Sequence, residues 1–145
     1  MEYKDIVDLI ANNPDKVDIA EFGNGTSEDW TTKAERRLVI RFPKSFSWWL
    51  KKYRGGSING DEILSVNEED FDTGVGGDIV YMNKLYRRKG LIAPGQLLIQ
   101  TNDFGEEFYF ELSKAKNGES PIYLLGTRSR YADDFSHFLK KKLTE

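Results

Sequence analysis

Residues 42–60, FPKSFSWWLKKYRGGSING, contain a helix start, an amphipathic helix and a helix stop in that order. Pro43 suits the first helical turn, because the backbone N–H that proline lacks has no partner there. Gly55 and Gly56 supply a left-handed stop. Between them, apolar side chains recur with the spacing of a helix that turns one face to the core. These side chains are Phe46, Trp49, Leu50 and Tyr53. The stretch therefore predicts a core helix around which the chain packs.

The flanking sequence predicts further helices and several strands. Helical periodicity indicates helices in residues 3–12, 27–38 and 78–89 and another that begins at Asp133 or Asp134. In the second of these, Thr32 and Glu35 have the spacing of a capping box, and Ser27 is a rival N-cap. We expect Ile79, Met82, Leu85 and Tyr86 on one face of the fourth helix, with Asp78 as its N-cap. Predicted strands cover residues 60–65, 97–101, 108–112 and 121–126, and residues 17–25 fit a loop or an edge strand equally well. This order predicts an α+β fold, a single domain over residues 1–145, with a largely antiparallel central sheet covered by helices on one face.

Composition excludes several classes of site. There is no cysteine, so disulfides, thiolate metal sites and cysteine nucleophiles are excluded. No apolar run approaches the roughly 20 residues of a membrane span. The first residues, MEYKDIVDLI, carry charges where a signal peptide needs an apolar core, so we expect a cytoplasmic protein with no membrane contact.

The net charge of −3 comes from one part of the chain. Residues 55–83 contain seven acidic and no basic residues, whereas the segments before and after are slightly basic. Such a balance argues against direct nucleic-acid binding, although the clusters Arg36-Arg37-Arg41 and Arg87-Arg88-Lys89 are basic. The second cluster is explained by its place in the last turn of a helix.

No pattern of catalytic or metal-binding residues emerges. The single histidine, His137, falls on the polar side of the last helix, where a surface role fits better than a catalytic one. The acidic loop 67–77 lacks the register of a calcium site, and its glycines fit no phosphate-binding motif. We expect no cofactor and no metal. A hydrolase that uses a carboxylate pair stays an open alternative, since such a pair can form only in three dimensions.

The remaining interpretation is protein binding. Trp48 lies off the core stripe, and carboxylates without nearby counter-charges accumulate in the middle of the chain. The predicted partner-binding residues are Trp48, Asp61, Glu62, Glu68, Glu69, Asp70, Asp72, Asp78, Asp103, Glu106 and Glu107. The alternative is that Trp48 packs under the N-terminal helix and that the acidic loop is merely solvated. These two interpretations stay open at this point.

The segment TTKAERRLVIRFPKSFSWWLKKYRGGSING, residues 31–60, resembles the signature of the SUKH superfamily. That signature has a glutamate in the second helix, a Leu-Pro, an aromatic residue, a Phe-Leu pair and an Asn-Gly-Gly. The positions that match are Glu35, Pro43, Phe46, Trp49, Leu50, Gly55 and Gly56. Residues 99–112, IQTNDFGEEFYFEL, are similar to the family's strand, acidic turn and strand. The ending, with Asp134, Phe135, Phe138 and Leu139, is similar to its final helix. In total the resemblance covers residues 27–143.

Three positions depart from the signature: Phe42 replaces leucine, Trp49 replaces phenylalanine and Arg54 replaces asparagine. The first two conserve bulk, and the third touches the loop after the helix. The resemblance implies a non-catalytic bacterial immunity protein, or antitoxin, that binds a secreted toxin in the producing cell, often a nuclease. Fungal relatives of the superfamily imply the alternative, a regulatory adaptor for an endogenous partner. An acidic face suits a basic nuclease, and we expect a monomer or weak homodimer.

Overall fold

One antiparallel sheet organises the molecule in the computed structural model, which describes residues 3–19, 22–68 and 77–144. Its strands are β1 Val17–Asp18, β2 Gly56–Ile58, β3 Asp61–Ile63, β4 Gln96–Thr101, β5 Glu107–Glu111, β6 Ile122–Leu124 and β7 Ser129–Ala132. The helices are α1 Tyr3–Ala11, α2 Glu28–Leu38, α3 Lys44–Tyr53, α4 Ile79–Arg88 and α5 Phe135–Thr144. The strands lie in the sheet in chain order, from β1 to β7, and each is antiparallel to its neighbours. The predicted α+β fold with helices against an antiparallel sheet is confirmed.

Helix α3 is the core helix that the opening stretch predicts. The four predicted stripe residues are all at most 4% exposed. The Phe46 ring lies 5.5 Å from the Phe110 ring of β5 and 5.1 Å from the Phe135 ring of α5, so α3 joins the sheet to the last helix. The predicted stop is one residue late, because Arg54, at φ 64°, is the left-handed C-cap and donates its N–H to Leu50. The signature's asparagine suits this position, since asparagine tolerates the left-handed region better than most residues.

The start of α2 decides between the two N-cap candidates that the sequence offered. Ser27 is the N-cap, and its hydroxyl accepts a hydrogen bond from the Trp30 N–H. The capping box of Thr32 and Glu35 is wrong, because the Glu35 carboxylate accepts the Phe42 N–H at 2.7 Å instead. This glutamate therefore fixes the chain between α2 and α3.

Helix α4 begins after Asp78, as predicted, but it turns a different face to the core. Its buried residues are Ile79, Val80 and Asn83, whereas Met82, Leu85 and Tyr86 are partly exposed. The reason is the Asn83 amide, which is fully buried and bonds the backbone of β4. Its Oδ1 accepts the Leu98 N–H at 2.7 Å, and its Nδ2 donates to Leu98 O and Ile79 O, each at 2.9 Å.

This amide replaces a missing strand pairing. Residues Ile63 and Gln100 pair between β3 and β4. In that antiparallel register, Ser65 would lie opposite Leu98, but Ser65 pairs with Asp78 instead. The side chain of Asn83 therefore supplies the hydrogen bonds that β3 no longer offers.

The sequence interpretation missed β2 and β7, and it left β1 undecided. Residues Phe108 and Phe110 face α5 and α3, so Tyr109 points to the opposite side of the sheet. Tyr109 is nevertheless only 2% exposed. Tyr123 of β6 stacks on it at 5.8 Å, and the Arg128 guanidinium lies 5.4 Å from its ring. A side chain of the neighbouring strand and one of the β6–β7 turn thus contact this ring.

Candidate partner-binding surface

Carboxylates from two hairpins meet at one end of the sheet. Because Ile63 lies opposite Gln100, the antiparallel register places Asp61 level with residue 102, at the base of the β4–β5 turn. The Gln100 amide also donates to Asp61 O at 3.2 Å. We call this region the acidic end and define it by Asp61, Glu62, Asp103, Phe104 and Glu106.

The β4–β5 turn is held by one side chain. The Asn102 Oδ1 accepts the N–H groups of Phe104 at 3.1 Å and Glu106 at 2.9 Å, and its Nδ2 donates to the Glu106 carboxylate at 3.0 Å. Backbone bonds between residues 102 and 106 and between residues 105 and 102 close the turn. Gly105, at φ 79°, occupies the left-handed position that the turn requires. The tip is therefore fixed before any partner arrives.

This turn presents an aromatic ring to solvent. The Phe104 side chain is 86% exposed, and the same turn carries the exposed residues Asp103 and Glu106. An exposed aromatic residue on a fixed turn is the kind of anchor that dominates protein interfaces. The sequence interpretation did not select Phe104. The signal that could have identified it is a phenylalanine inside the turn motif NDFGEE, where an apolar side chain does not reach the core.

The carboxylates of the acidic end have no cationic partner. Asp61 is half-buried and Glu62 is exposed, and adjacent residues of a strand point to opposite faces. Among the described residues, Asp61, Glu62, Asp103 and Glu106 form no salt bridge. Their negative potential is therefore available to a basic partner.

Two other predicted carboxylates serve the fold. Glu107 accepts a hydrogen bond from the Tyr86 hydroxyl of α4. Burial, followed by this carboxylate, raises the pKa of the Tyr86 phenol to about 12. Glu68 accepts the Ser27 N–H at 2.8 Å and lies 3.8 Å from the Arg54 guanidinium, so it ties the start of α2 to the end of α3.

Asp78 is only 2% exposed, so its side chain is not accessible to a partner in this structure. Its carboxylate caps α4 by accepting the Tyr81 N–H at 2.9 Å, and it also accepts the Asn67 N–H at 3.0 Å. Burial raises the pKa of the Asp78 carboxyl, and these backbone donors oppose that rise. The predicted residues Glu69, Asp70 and Asp72 lie outside the described residues.

Trp48 is part of an aromatic group between α1 and α3. Its ring stacks on Tyr3 with 4.6 Å between centroids and lies 6.0 Å from Tyr53. It is half-buried, and it lines an open groove that is separate from the acidic end. This arrangement matches the alternative in which Trp48 packs under the N-terminal helix.

The described ranges contain no cluster of three or more histidine, cysteine, aspartate or glutamate side chains suited to a metal ion. The Nδ1 atom of His137 accepts the Asp133 N–H at 3.0 Å, so this ring nitrogen already has a hydrogen-bond partner at the start of α5. Among the helices described, none is long and apolar enough to cross a membrane.

The fold and the motif positions agree with a comparison against known protein families. Residues 28–139 match the model of the SUKH_6 family, which is described as SMI1-KNR4 cell-wall. The match extends from the start of α2 into α5 and so includes the core helix, the acidic end and the sheet from β2 to β7. Proteins of this superfamily are protein-interacting immunity or regulatory domains and are generally non-catalytic. The chain therefore belongs to the SUKH superfamily.

Proposed function

We propose that this chain is a non-catalytic immunity protein that binds and neutralises a secreted bacterial toxin inside the cell that makes it. The observation that carries the proposal is the acidic end, where four carboxylates without a salt bridge to a described residue share one end of the sheet with the exposed ring of Phe104. Family membership supports a binding role.

The charge of this surface selects the class of partner. A nuclease grips phosphates with basic residues, so its active-site face attracts an acidic surface and repels a basic one. Carboxylates on a fixed turn can occupy the positions of phosphates, while Phe104 fills an apolar gap. The partner is therefore a basic nuclease toxin, and binding over its basic face blocks access of nucleic acid.

The test begins with a toxin encoded beside the gene of this protein. Co-expression should rescue cells from that toxin, and the two proteins should purify together. The double variant Asp103→Lys with Glu106→Lys should slow association by about tenfold or more at low salt and flatten the salt dependence. The matched control is Asp8→Lys with Asp29→Lys, exposed carboxylates of α1 and α2 that give the same change in net charge.

A second variant separates the anchor from the charge. Phe104→Ser leaves the net charge unchanged and should raise the dissociation rate more than it lowers the association rate. Equal effects of the acidic-end pair and the control pair, with wild-type binding by Phe104→Ser, would exclude the acidic end as the interface. Absence of rescue by the wild-type protein would refute the immunity function itself.

The family description favours one further candidate, a regulatory adaptor for an endogenous partner, because it refers to the cell wall. Affinity purification from the native host distinguishes the two. Recovery of housekeeping proteins in place of a toxin, through the same Phe104-dependent surface, supports the adaptor.

A further inference from the structure

The C-terminal end of α2 carries a residue that its conformation does not favour. Val39 is the C-cap at φ 56° and ψ 47°, in the left-handed region. Glycine or asparagine usually occupies this position, and a β-branched residue there is a genuine outlier. It is also 86% exposed, so its side chain contributes almost nothing to the core. Of the described residues with positive φ, Val39 alone is β-branched. Folding therefore gives no reason for a valine here.

Val39 stands between two open depressions. The first, of about 1060 Å³, lies between α2 and α3, and Trp48 forms part of its wall. The second, of about 720 Å³, runs toward Pro94 and Gly118. The segment from Val39 to Phe42 lines both depressions and forms a ridge between them. We call the two depressions and this ridge the Val39 groove.

Cations surround the groove. Arg36, Arg41 and Lys44 are exposed, and within the described ranges none of them forms a salt bridge. Among the described lining residues the one carboxylate is Glu35, whose Oε2 already accepts the Phe42 N–H at 2.7 Å. A fourth lining cation, Lys51, lies 3.5 Å from the Glu28 carboxylate. The groove thus combines three cations without a salt bridge and an exposed aliphatic side chain.

We propose that the Val39 groove binds an acidic segment of a protein partner, with an apolar side chain of that segment packed against Val39. The cations favour carboxylates, and the aliphatic ridge favours an apolar residue among them. A single-stranded nucleic acid fits less well, because it needs free aromatic faces for its bases. Here the Trp48 ring stacks on Tyr3, and Phe42 is 6% exposed with its ring against Phe46.

This inference does not depend on the proposed toxin interface. The acidic end attracts a basic surface through the turns of the sheet, whereas the Val39 groove attracts an acidic segment beside α2 and α3. The two proposed binding surfaces are therefore tested by separate experiments, and the result for one does not decide the other.

The test uses a fluorescein-labelled synthetic peptide with glutamates flanking one leucine, and fluorescence anisotropy as the readout. The wild-type protein should bind it saturably, and the same peptide with serine in place of leucine should bind more weakly. Val39→Gly should weaken binding of the leucine peptide by about tenfold, the effect of losing one buried aliphatic side chain. It should also raise the midpoint of thermal unfolding, because glycine adopts this conformation without strain.

Charge variants provide the second arm. Arg36→Glu with Arg41→Glu should abolish binding, whereas Arg88→Glu with Lys89→Glu, exposed cations at the end of α4, should retain most of it. Several results would overturn the proposal: no saturable binding, unchanged affinity in Val39→Gly, or tighter binding of a single-stranded oligonucleotide through the same arginines. Concentration-dependent mass in sedimentation that Val39→Gly removes would show that a second copy of this chain occupies the groove instead.

Discussion

Replacing Asn83 with alanine should destabilise the protein far more than the size of the change suggests. The amide is fully buried and exchanges hydrogen bonds with both the N–H and the carbonyl of Leu98. After the substitution these two backbone groups have no partner, because Ser65, which the strand register would place there, pairs with Asp78. Each buried group left unsatisfied costs about 1–3 kcal/mol. The expected loss in the free energy of unfolding is therefore about 2–6 kcal/mol, a large part of the roughly 5–15 kcal/mol of a typical domain.

Urea unfolding followed by tryptophan fluorescence and by far-UV circular dichroism measures this loss. The control is Asn12→Ala, since Asn12 is exposed at the end of α1, and its expected change is within about 0.5 kcal/mol. Hydrogen exchange adds a local readout, because the Leu98 amide should lose its protection in the variant.

Asn83→Asp gives the same prediction a pH dependence. An aspartate there would be buried beside the carbonyl oxygens of Leu98 and Ile79, so its pKa in the folded state lies above the unfolded value of about 4. A group whose pKa is raised by folding stabilises the protein below its unfolded pKa, and the contribution is lost as pH rises through the folded pKa. The deficit relative to wild type at the same pH should therefore be smaller at pH 4 than at pH 8. A loss in Asn83→Ala no larger than in Asn12→Ala, or a pH-independent deficit in Asn83→Asp, would refute the assigned role.

Three further changes test local features. Ser27→Ala should cost about 1 kcal/mol of unfolding free energy in urea denaturation, as the loss of an N-cap does, whereas Thr32→Ala should cost less because it caps nothing. Gly25→Ala should destabilise clearly by the same assay, since its Cβ would lie 2.0 Å from a backbone oxygen of α3, while Gly95→Ala meets nothing within 4 Å and should be neutral or slightly stabilising. Because folding raises the pKa of the Tyr86 phenol, the wild-type protein should lose stability as pH rises from about 10 to about 12. The variant Tyr86→Phe should not show this loss. Urea denaturation across that pH range measures it, and identical profiles of the two proteins would contradict the prediction.

The core helix could be predicted because its signals are local. The stripe from Phe46 to Tyr53 needs only helical spacing, and the same is true of Phe135 to Leu143 in α5. The stop of α3 was misplaced by one residue because Arg54 adopts a conformation for which glycine is the stronger signal.

The face of α4 could not be predicted, because a polar residue occupies the core position. Apolar periodicity selects Met82 and Leu85, but the helix rotates so that Asn83 reaches Leu98 across 15 positions of the sequence. The residues next to Asn83 in the sequence do not predict that hydrogen bond. The strand β2 was missed because it begins at a glycine that was predicted to stop α3, and β7 was missed because its sequence, SRYA, has no run of large apolar residues.

The residues of the candidate surface could not be sorted by charge alone. Counting charges selected acidic residues without distinguishing exposed ones from Asp78, which is buried as a helix cap. Charge counting also placed Asp61 inside the acidic segment 55–83 and Asp103 outside it. The β3–β4 register nevertheless brings their turns to one end of the sheet. Phe104 was overlooked because an aromatic residue normally signals the core, and only the turn geometry shows that its ring faces solvent.

The order of the strands bears on how this chain acquires its structure. From β4 to β7, each strand pairs with the next one along the sequence, so a succession of hairpins can build this half of the sheet while little loop entropy is lost. Other contacts join segments that are far apart in the sequence. The Lys16 ammonium donates to Leu143 O at 2.7 Å, and the Asn59 amide donates to Lys142 O at 2.9 Å. We expect contacts so far apart to form late, after the hairpins have brought the helices near. Weakening the Lys16 contact should therefore mainly accelerate unfolding, whereas weakening the β4–β5 hairpin should slow folding.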